Sequence, residues 1–203
     1  SSAGRWAATL GFEVGHRFSR IDAASRDPDS VLTWRAIQAQ LEGRGNTLII
    51  GPHDALNAPA AIEGTTYGGL VPHSDDATFS DDSQYEQPET PARVAAAVAI
   101  GATSVSVLML VGHVPEAGQY FSVLDRLYSI KTATPHATIA DQYALSIWPP
   151  FRDTITAAMV ANEVTAEFDQ PQCKMQLASD GSGQLQMRQL YRASPTLELV
   201  EAY

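Results

Sequence analysis

Histidine and carboxylate side chains are the residues of this chain best suited to acid–base or metal chemistry. The five histidines are His16, His53, His73, His113 and His136. No two of them lie two or four residues apart, the spacings that place a pair of ligands on one face of a strand or a helix. His53 and His73 lie close to carboxylates in the sequence. A His/carboxylate metal site there is an alternative to solvated loop residues, which we take as the simpler interpretation.

Nucleophilic catalysis has little support in the sequence. The G-x-S-x-G motif of the α/β-hydrolases is absent. Cys173 is the single cysteine, which excludes an intramolecular disulfide and argues against a cysteine-based zinc site. Because Cys173 lies on the apolar face of a predicted strand, we expect a buried structural residue and not a nucleophile.

Three further patterns resemble functional sites only in part. Two adjacent acid pairs offer oxygen ligands for Ca²⁺ but lack the alternating acids, the glycine and the final glutamate of an EF-hand loop. These pairs are Asp75-Asp76 and Asp81-Asp82. The glycine-rich turn 43–46 lacks the lysine of a phosphate-binding loop, so we interpret it as the end of a helix. Arg152 and Asp153 are predicted to form a local ion pair. We therefore expect no catalytic residue, no cofactor and no metal ion, and no enzymatic activity.

The charge of the chain is unevenly distributed. Its 203 residues include 13 lysines and arginines against 23 acids, a formal net charge of −10. This balance argues against binding nucleic acid through a basic face or binding an anionic membrane surface. Residues 45–92 contain no lysine or arginine but eight acids: Asp54, Glu63, Asp75, Asp76, Asp81, Asp82, Glu86 and Glu89. Proline and glycine interrupt the same stretch, so residues 51–92 are predicted to form an extended acidic loop. No segment is long and apolar enough to predict membrane insertion.

The apolar pattern predicts a mainly β (α+β) fold: a β-sandwich or small barrel with one amphipathic helix, a long acidic loop and a second β portion. Residues 6–14 alternate between apolar and other side chains, which is typical of a strand. Residues 30–42 are predicted to form the helix, with Asp29 or Ser30 as N-cap and Gly43 as a left-handed C-cap. Its buried stripe is predicted to contain Val31, Trp34, Ile37 and Leu41.

Alternation predicts several short strands after the helix, most of them beyond residue 92. A hairpin is predicted to close at Asp125, and Pro149-Pro150 are predicted to end the strand around Leu145. The predicted strands are 47–50, 95–100, 105–111, 119–124, 126–132, 143–147, 172–177, 184–191 and 196–200.

Three segments, taken in order, resemble the distal tail proteins of long-tailed bacteriophages. The first, 31–50, is a helix with aromatic and aliphatic residues, a Gly-Arg turn and a strand. The second, 117–130, is similar to a hairpin in which AGQYFSV precedes RLYSI. The third, 145–152, reads LSIWPPFR and is similar to a strand that ends at a Pro-Pro corner. The segments 168–175 and 197–201 also fit this resemblance.

The resemblance implies a ring, usually a hexamer, that joins the tail tube to the tail-tip hub of the baseplate. It implies a ring-forming β-sandwich from residues 1–50 and the C-terminal strands 165–203, and a β-barrel-like portion at 93–164. The implied partners are further copies of the chain, the tail tube protein and the tail-tip hub protein. The implied location is the virion tail, after assembly in the cytoplasm of the bacterial host. No catalysis is implied.

A ring of this kind requires contact surfaces on each subunit. Head-to-tail contacts need two different complementary patches, so we expect the acidic loop to meet basic residues of a neighbouring copy. The candidate interface residues are Trp34, Arg44, Asp75, Asp76, Asp81, Asp82 and Arg152. The alternatives are a tail terminator or head-completion ring protein, a carbohydrate-binding β module at the tail tip, and an enzyme. The carbohydrate module would use exposed aromatic residues such as Tyr67, Phe79 and Tyr85.

Overall fold

The computed structural model describes residues 4–15, 30–52, 92–109, 113–184 and 192–202, and these residues form a mainly β fold, as predicted. The strands are β1 (Ala7–Gly11), β2 (Val14–Gly15), β3 (Leu48–Ile50), β4 (Ala92–Val94), β5 (Ser104–Met109), β6 (Tyr120–Val123), β7 (Arg126–Pro135), β8 (Gln142–Trp148), β9 (Cys173–Leu177), β10 (Arg192–Ala193) and β11 (Thr196–Glu201). The helices are α1 (Ser30–Leu41) and α2 (Ala157–Ala161).

The chain divides into two compact units. The helix unit comprises Arg5–Ile50 and Lys174–Tyr203, and the barrel unit comprises Ser1–Gly4 and Gly51–Cys173. The last boundary between the two units therefore lies after Cys173. The domain division expected from the resemblance places this boundary at residue 165. The predicted acidic loop, 51–92, lies outside the described residues except at Gly51, Pro52 and Ala92.

The barrel unit contains a five-stranded antiparallel sheet in the order β4-β5-β8-β7-β6. The segment 164–168 bonds to both of its edge strands. On one side, Val94 N donates to Val164 O and Ala166 N donates to Ala92 O, each at 2.9 Å. On the other side, Ser122 and Glu167 exchange two backbone hydrogen bonds of 2.8 Å. These bonds close the sheet on itself and explain why residues 165–173 belong to this unit.

Aromatic and aliphatic side chains fill the interior of the barrel unit. Phe121 packs against Tyr128 and Phe168, with ring centroids 5.5 and 5.3 Å apart, and Tyr128 stacks on Phe151 at 4.5 Å. Strand β8 contributes Leu145 and Ile147, which are fully buried. The alternation predicted for residues 143–147 is thus confirmed, because inward side chains recur every second residue in a strand.

The predicted hairpin is confirmed, and its turn has unusual residues. Val123 pairs with Arg126, so Leu124 and Asp125 form a two-residue loop. Their φ angles are 52° and 59°, the left-handed values of a type I′ turn, where Asn-Gly is preferred. The glycine that such a turn favours is missing at both positions.

The barrel unit differs from the sequence-based expectation in two places. The expected strand at 95–100 is absent, and Val98 alone forms an isolated bridge, with Ile155. Three consecutive alanines precede Val98, and alanine is depleted in strands. The second difference is helix α2, which the sequence does not predict. Its N-cap is Thr156, whose side chain accepts from Met159 N at 3.3 Å, and five residues are too few to show a helical period.

The helix unit contains a four-stranded sheet in the order β1-β11-β9-β3 and a two-stranded pair, β10-β2. Strand β9 buries Cys173, Met175 and Leu177 and leaves the residues between them half-buried, which confirms both the alternation and the buried cysteine. The N-terminal run 6–14, predicted as one strand, divides into β1 and β2. The predicted strand 184–191 lies outside the described residues except for Gln184, which is not in a strand.

Helix α1 differs from the prediction in its buried face. Val31, Trp34 and Leu41 are buried, but Ile37 is 39% exposed and Gln38 is half-buried instead. At about 100° per residue, position 38 lies between positions 31 and 34 in projection, whereas position 37 lies outside the stripe formed by positions 31, 34 and 41. The predicted end of the helix is confirmed, since Gly43 has a φ of 64° and Asn46 N donates to Leu41 O at 3.1 Å.

Candidate interaction surface

Trp34 is wrongly predicted as an interface residue. It is only 3% exposed, its ring lies 4.8 Å from that of Phe12, and its Nε1–H donates to Gly183 O at 3.0 Å. Gln38 Nε2 donates to the same carbonyl oxygen. Trp34 therefore holds the turn at Gly183 against the helix. Trp34 is buried because it lies on the inner stripe of α1, where the sequence also predicted it. A residue on this buried stripe is not available for a contact with another subunit.

Arg44 is exposed, as an interface residue should be. Its backbone is fixed, because Arg44 N donates to Asp180 Oδ1 at 3.2 Å. The same carboxylate lies next to Gly43, where an added Cβ would be 3.0 Å from Asp180 Oδ1. The turn after α1 thus presents the Arg44 side chain from a well-anchored backbone.

Arg152 is half-buried and has a structural role. Its guanidinium donates to Gly4 O, and its backbone N–H donates to the Tyr128 hydroxyl at 3.4 Å. Among the described residues, no ion pair joins Arg152 to Asp153, although the sequence predicted one. Asp153 instead accepts from Arg126 Nε at 3.2 Å, an interaction between residues 27 positions apart that sequence adjacency does not reveal.

The four acids of the candidate interface lie outside the described residues. They are Asp75, Asp76, Asp81 and Asp82. The same holds for His16, His53 and His73, and hence for the alternative metal site. Within the described ranges, no three His, Cys, Asp or Glu side chains are grouped closely enough to hold a metal ion.

The two described histidines have different environments. His113 is buried. His136 is exposed, and its Nδ1 accepts from the backbone N–H groups of Thr138 at 3.3 Å and Ile139 at 3.1 Å, so it caps the turn between β7 and β8. At the end of this turn, burial raises the pKa of Tyr143 above its ordinary value, and the nearby Asp141 carboxylate adds to the effect.

The outer face of α1 is apolar, a feature that we did not predict from the sequence. Leu32 is 58% exposed, and Ala36, Ile37 and Ala39 are also exposed. Arg35 is the single charged residue among the twelve of the helix. Leu32, Ala36 and Ala39 are spaced by four and three residues and so lie on one side of the helix. The sequence does indicate this outer face, because the predicted helix has apolar residues on two sides and almost no charged residues.

Comparison with protein-family models and with curated proteins gives no relative for the chain. No protein-family model matches it, and no curated protein matches it significantly. Neither helix in the described ranges is long and apolar enough to cross a lipid bilayer.

Proposed function

We propose that this protein is a structural subunit of a bacteriophage tail, and that its copies form a ring joining the tail tube to the tail-tip hub. The observation that carries the proposal is the apolar outer face of α1. A well-exposed leucine and three further apolar residues on a helix with one charge are typical of the core of a subunit contact, where charged residues are depleted. The occupant that we assign to this face is a second copy of the chain.

The position of the resembling segments supports the same proposal. The segment 31–50 forms α1, its turn and β3, and the segment 117–130 contains the hairpin of β6 and β7. The segment 145–152 contains the end of β8 and the Pro-Pro corner. Each segment therefore coincides with a local element or with the end of one, as expected if the resemblance reflects a shared architecture.

The proposed ring is a hexamer in the virion tail, and it assembles in the host cytoplasm. Its further partners are the tail tube protein on one side and the tail-tip hub protein on the other. The proposal assigns no catalysis to the chain. A tail terminator or head-completion protein would also form a ring but occupy another level of the particle. The aromatic residues of the carbohydrate-binding alternative, Tyr67, Phe79 and Tyr85, lie outside the described residues.

Light scattering after size-exclusion chromatography, with negative-stain microscopy, tests the proposal on the full chain. We expect closed rings with several times the mass of one chain. Leu32→Lys places a charge in the proposed contact and should shift the protein towards single copies. Ile100→Lys is the matched control, because Ile100 is also an exposed apolar residue but lies in the barrel unit, and this variant should still assemble.

Two results would contradict the proposal. A wild-type chain that remains monomeric at all concentrations would overturn the ring. If Leu32→Lys assembled as strongly as the wild type, the apolar outer face of α1 would no longer support the proposed ring. Labelling of the protein at the neck of the particle would favour the terminator or head-completion alternative.

A further inference from the structure

The turn 179–182 follows β9 and carries a chemically reactive pair of residues. Ser182 N donates to Ser179 O at 3.0 Å, so Asp180 and Gly181 are the two central residues of a β-turn. Both of them are exposed. They also form the single Asp-Gly pair of the sequence. In such a pair a carboxyl group is followed by a peptide nitrogen that no Cβ of the next residue shields.

The surroundings of Gly181 leave its peptide nitrogen accessible. Among the described residues, an added Cβ at Gly181 would meet only Gln184 Nε2, at 3.7 Å. In the same part of the chain the Gly181 N–H makes no backbone hydrogen bond. The nitrogen can therefore approach the carboxyl carbon of Asp180 without first breaking a backbone contact.

The Asp180 carboxyl group is held by a donor from the end of helix α1. Arg44 N donates to Asp180 Oδ1 at 3.2 Å. The position of this donor is itself fixed, because Asn46 N donates to Leu41 O at 3.1 Å across the same turn. Attack on the carboxyl carbon moves negative charge onto a carboxyl oxygen, and a fixed N–H group aimed at that oxygen stabilises the charge. The contact that anchors Arg44 thus also favours reaction at Asp180.

We propose that Asp180-Gly181 is a site of spontaneous covalent isomerisation, at which aspartate becomes isoaspartate. The Gly181 nitrogen bonds to Asp180 Cγ, and its proton leaves with the carboxyl hydroxyl as one water molecule, which forms a cyclic succinimide. Water then adds to the backbone carbonyl carbon of Asp180 in this ring. The bond from that carbon to the Gly181 nitrogen breaks, and the nitrogen regains a proton. No electron is transferred, and the product has the same mass as the original chain.

Isomerisation changes the contact between this turn and α1. The main chain then runs through Cβ and Cγ of Asp180 and is longer by one carbon, while the former backbone carbonyl becomes the free carboxylate. Arg44 N loses its acceptor in that geometry. The added carbon lies close before Gly183, whose carbonyl accepts from Trp34 and Gln38. The isomerised turn therefore loosens the attachment of residues 179–183 to the helix.

Ageing of the full chain in mildly acidic buffer, followed by digestion with trypsin, tests the proposal. Cleavage after Lys174 and after Arg188 releases the peptide 175–188. Its isoaspartyl form has an unchanged mass, a different chromatographic retention and the ability to accept a methyl group from protein isoaspartate methyltransferase. We expect this form to accumulate with time in the folded wild-type chain.

Gly181→Ala is the matched variant for the chemical step. It should isomerise about tenfold more slowly, because the alanine Cβ shields the peptide nitrogen. It keeps Asp180 and hence the bond from Arg44. The variant should fold as the wild type does, since Gly181 is not in the left-handed region and an added Cβ makes only an ordinary contact.

Asp180→Ala separates the loss of the Arg44 anchor from the chemical step. This variant cannot isomerise at residue 180 and lacks the acceptor from the start. Its thermal midpoint should be below that of fresh wild type and should not change on ageing. The midpoint of aged wild type should fall towards that of Asp180→Ala, whereas aged Gly181→Ala should keep its original midpoint.

Three results would overturn the inference. A folded wild-type chain without isoaspartate after ageing would show that the turn protects the pair, even if the chain isomerises in urea. Equal rates in wild type and Gly181→Ala would show that the open nitrogen at residue 181 is not the cause. Isoaspartate with an unchanged midpoint would refute the loosened contact with α1. None of these results depends on ring assembly, so the proposed function is tested separately.

Discussion

At the scale of single residues, Gly183 shows how closely the helix unit is packed. The carbonyl of Gly183 accepts hydrogen bonds from both Trp34 and Gln38, and its N–H donates to Thr196 O at 2.9 Å. A Cβ added there would lie 2.6 Å from Leu197 Cδ1 and 3.2 Å from the Trp34 ring. Its φ of 78° also favours glycine. The turn therefore approaches the helix to a distance that excludes any side chain.

Gly183→Ala should destabilise the helix unit by about 2–4 kcal/mol, because overpacking adds to the cost of a left-handed alanine. Urea unfolding followed by tryptophan fluorescence measures the change, since Trp34 contacts this turn. Gly118→Ala is the matched control, because Gly118 has a φ of 97° and no atom within 4 Å of an added Cβ. An equal loss of stability in both variants would show that backbone strain alone, and not packing, requires glycine at residue 183.

At the scale of elements, the β6–β7 hairpin forms although the two residues of its turn are unfavourable for the turn conformation. Leu124 and Asp125 both adopt left-handed φ values, which cost about 1–2 kcal/mol for each residue other than glycine. The flanking strands nevertheless pair in register and bury Phe121, Val123 and Tyr128. Burial of these side chains outweighs the cost of the turn.

Replacing the turn by Leu124→Asn with Asp125→Gly should stabilise the protein by about 1–2 kcal/mol, since Asn-Gly suits a type I′ turn. The midpoint of urea unfolding measures this change. The matched control exchanges the order, with Leu124→Gly and Asp125→Asn, and should give a smaller gain because Gly-Asn is less suited to this turn. An unchanged or lower midpoint for the Asn-Gly variant would mean that Leu124 contributes contacts that the turn geometry does not explain.

At the scale of the whole molecule, the two units differ in how the chain builds them. All of the described barrel strands and the closing segment 164–168 lie within the continuous range 92–173. The helix unit instead needs two distant parts of the chain, because β1 pairs with β11 and β11 pairs with β9. Folding of the helix unit therefore has to bring together the beginning and the end of the chain.

The fragment 92–173 should fold on its own, because its sheet is closed and its core is internal. We expect a cooperative thermal transition and the circular dichroism of a β protein. It loses the hydrogen bond from Arg152 to Gly4, so its midpoint should be somewhat below that of the same unit in the full chain. The matching fragment 5–50 should remain unfolded, since it lacks β9 and β11. An unfolded or aggregated 92–173 fragment would contradict this division.

Local patterns in the sequence determined much of the fold. The period of two identified β8, β9 and β11, the turn signal identified the β6–β7 hairpin, and the capping glycine identified the C-terminal end of α1. These features depend on residues a few positions apart, so short windows contain them. The resemblance to distal tail proteins and the acidic segment also came from sequence alone, and they remain predictions.

The tertiary structure decided where distant parts of the chain meet. The closure of the barrel by 164–168, the burial of Trp34 against Gly183 and the pairing of Arg126 with Asp153 all join residues far apart in sequence. No local period contains this information, because side-chain burial and the choice of ion-pair partner are set by chain segments brought together only on folding.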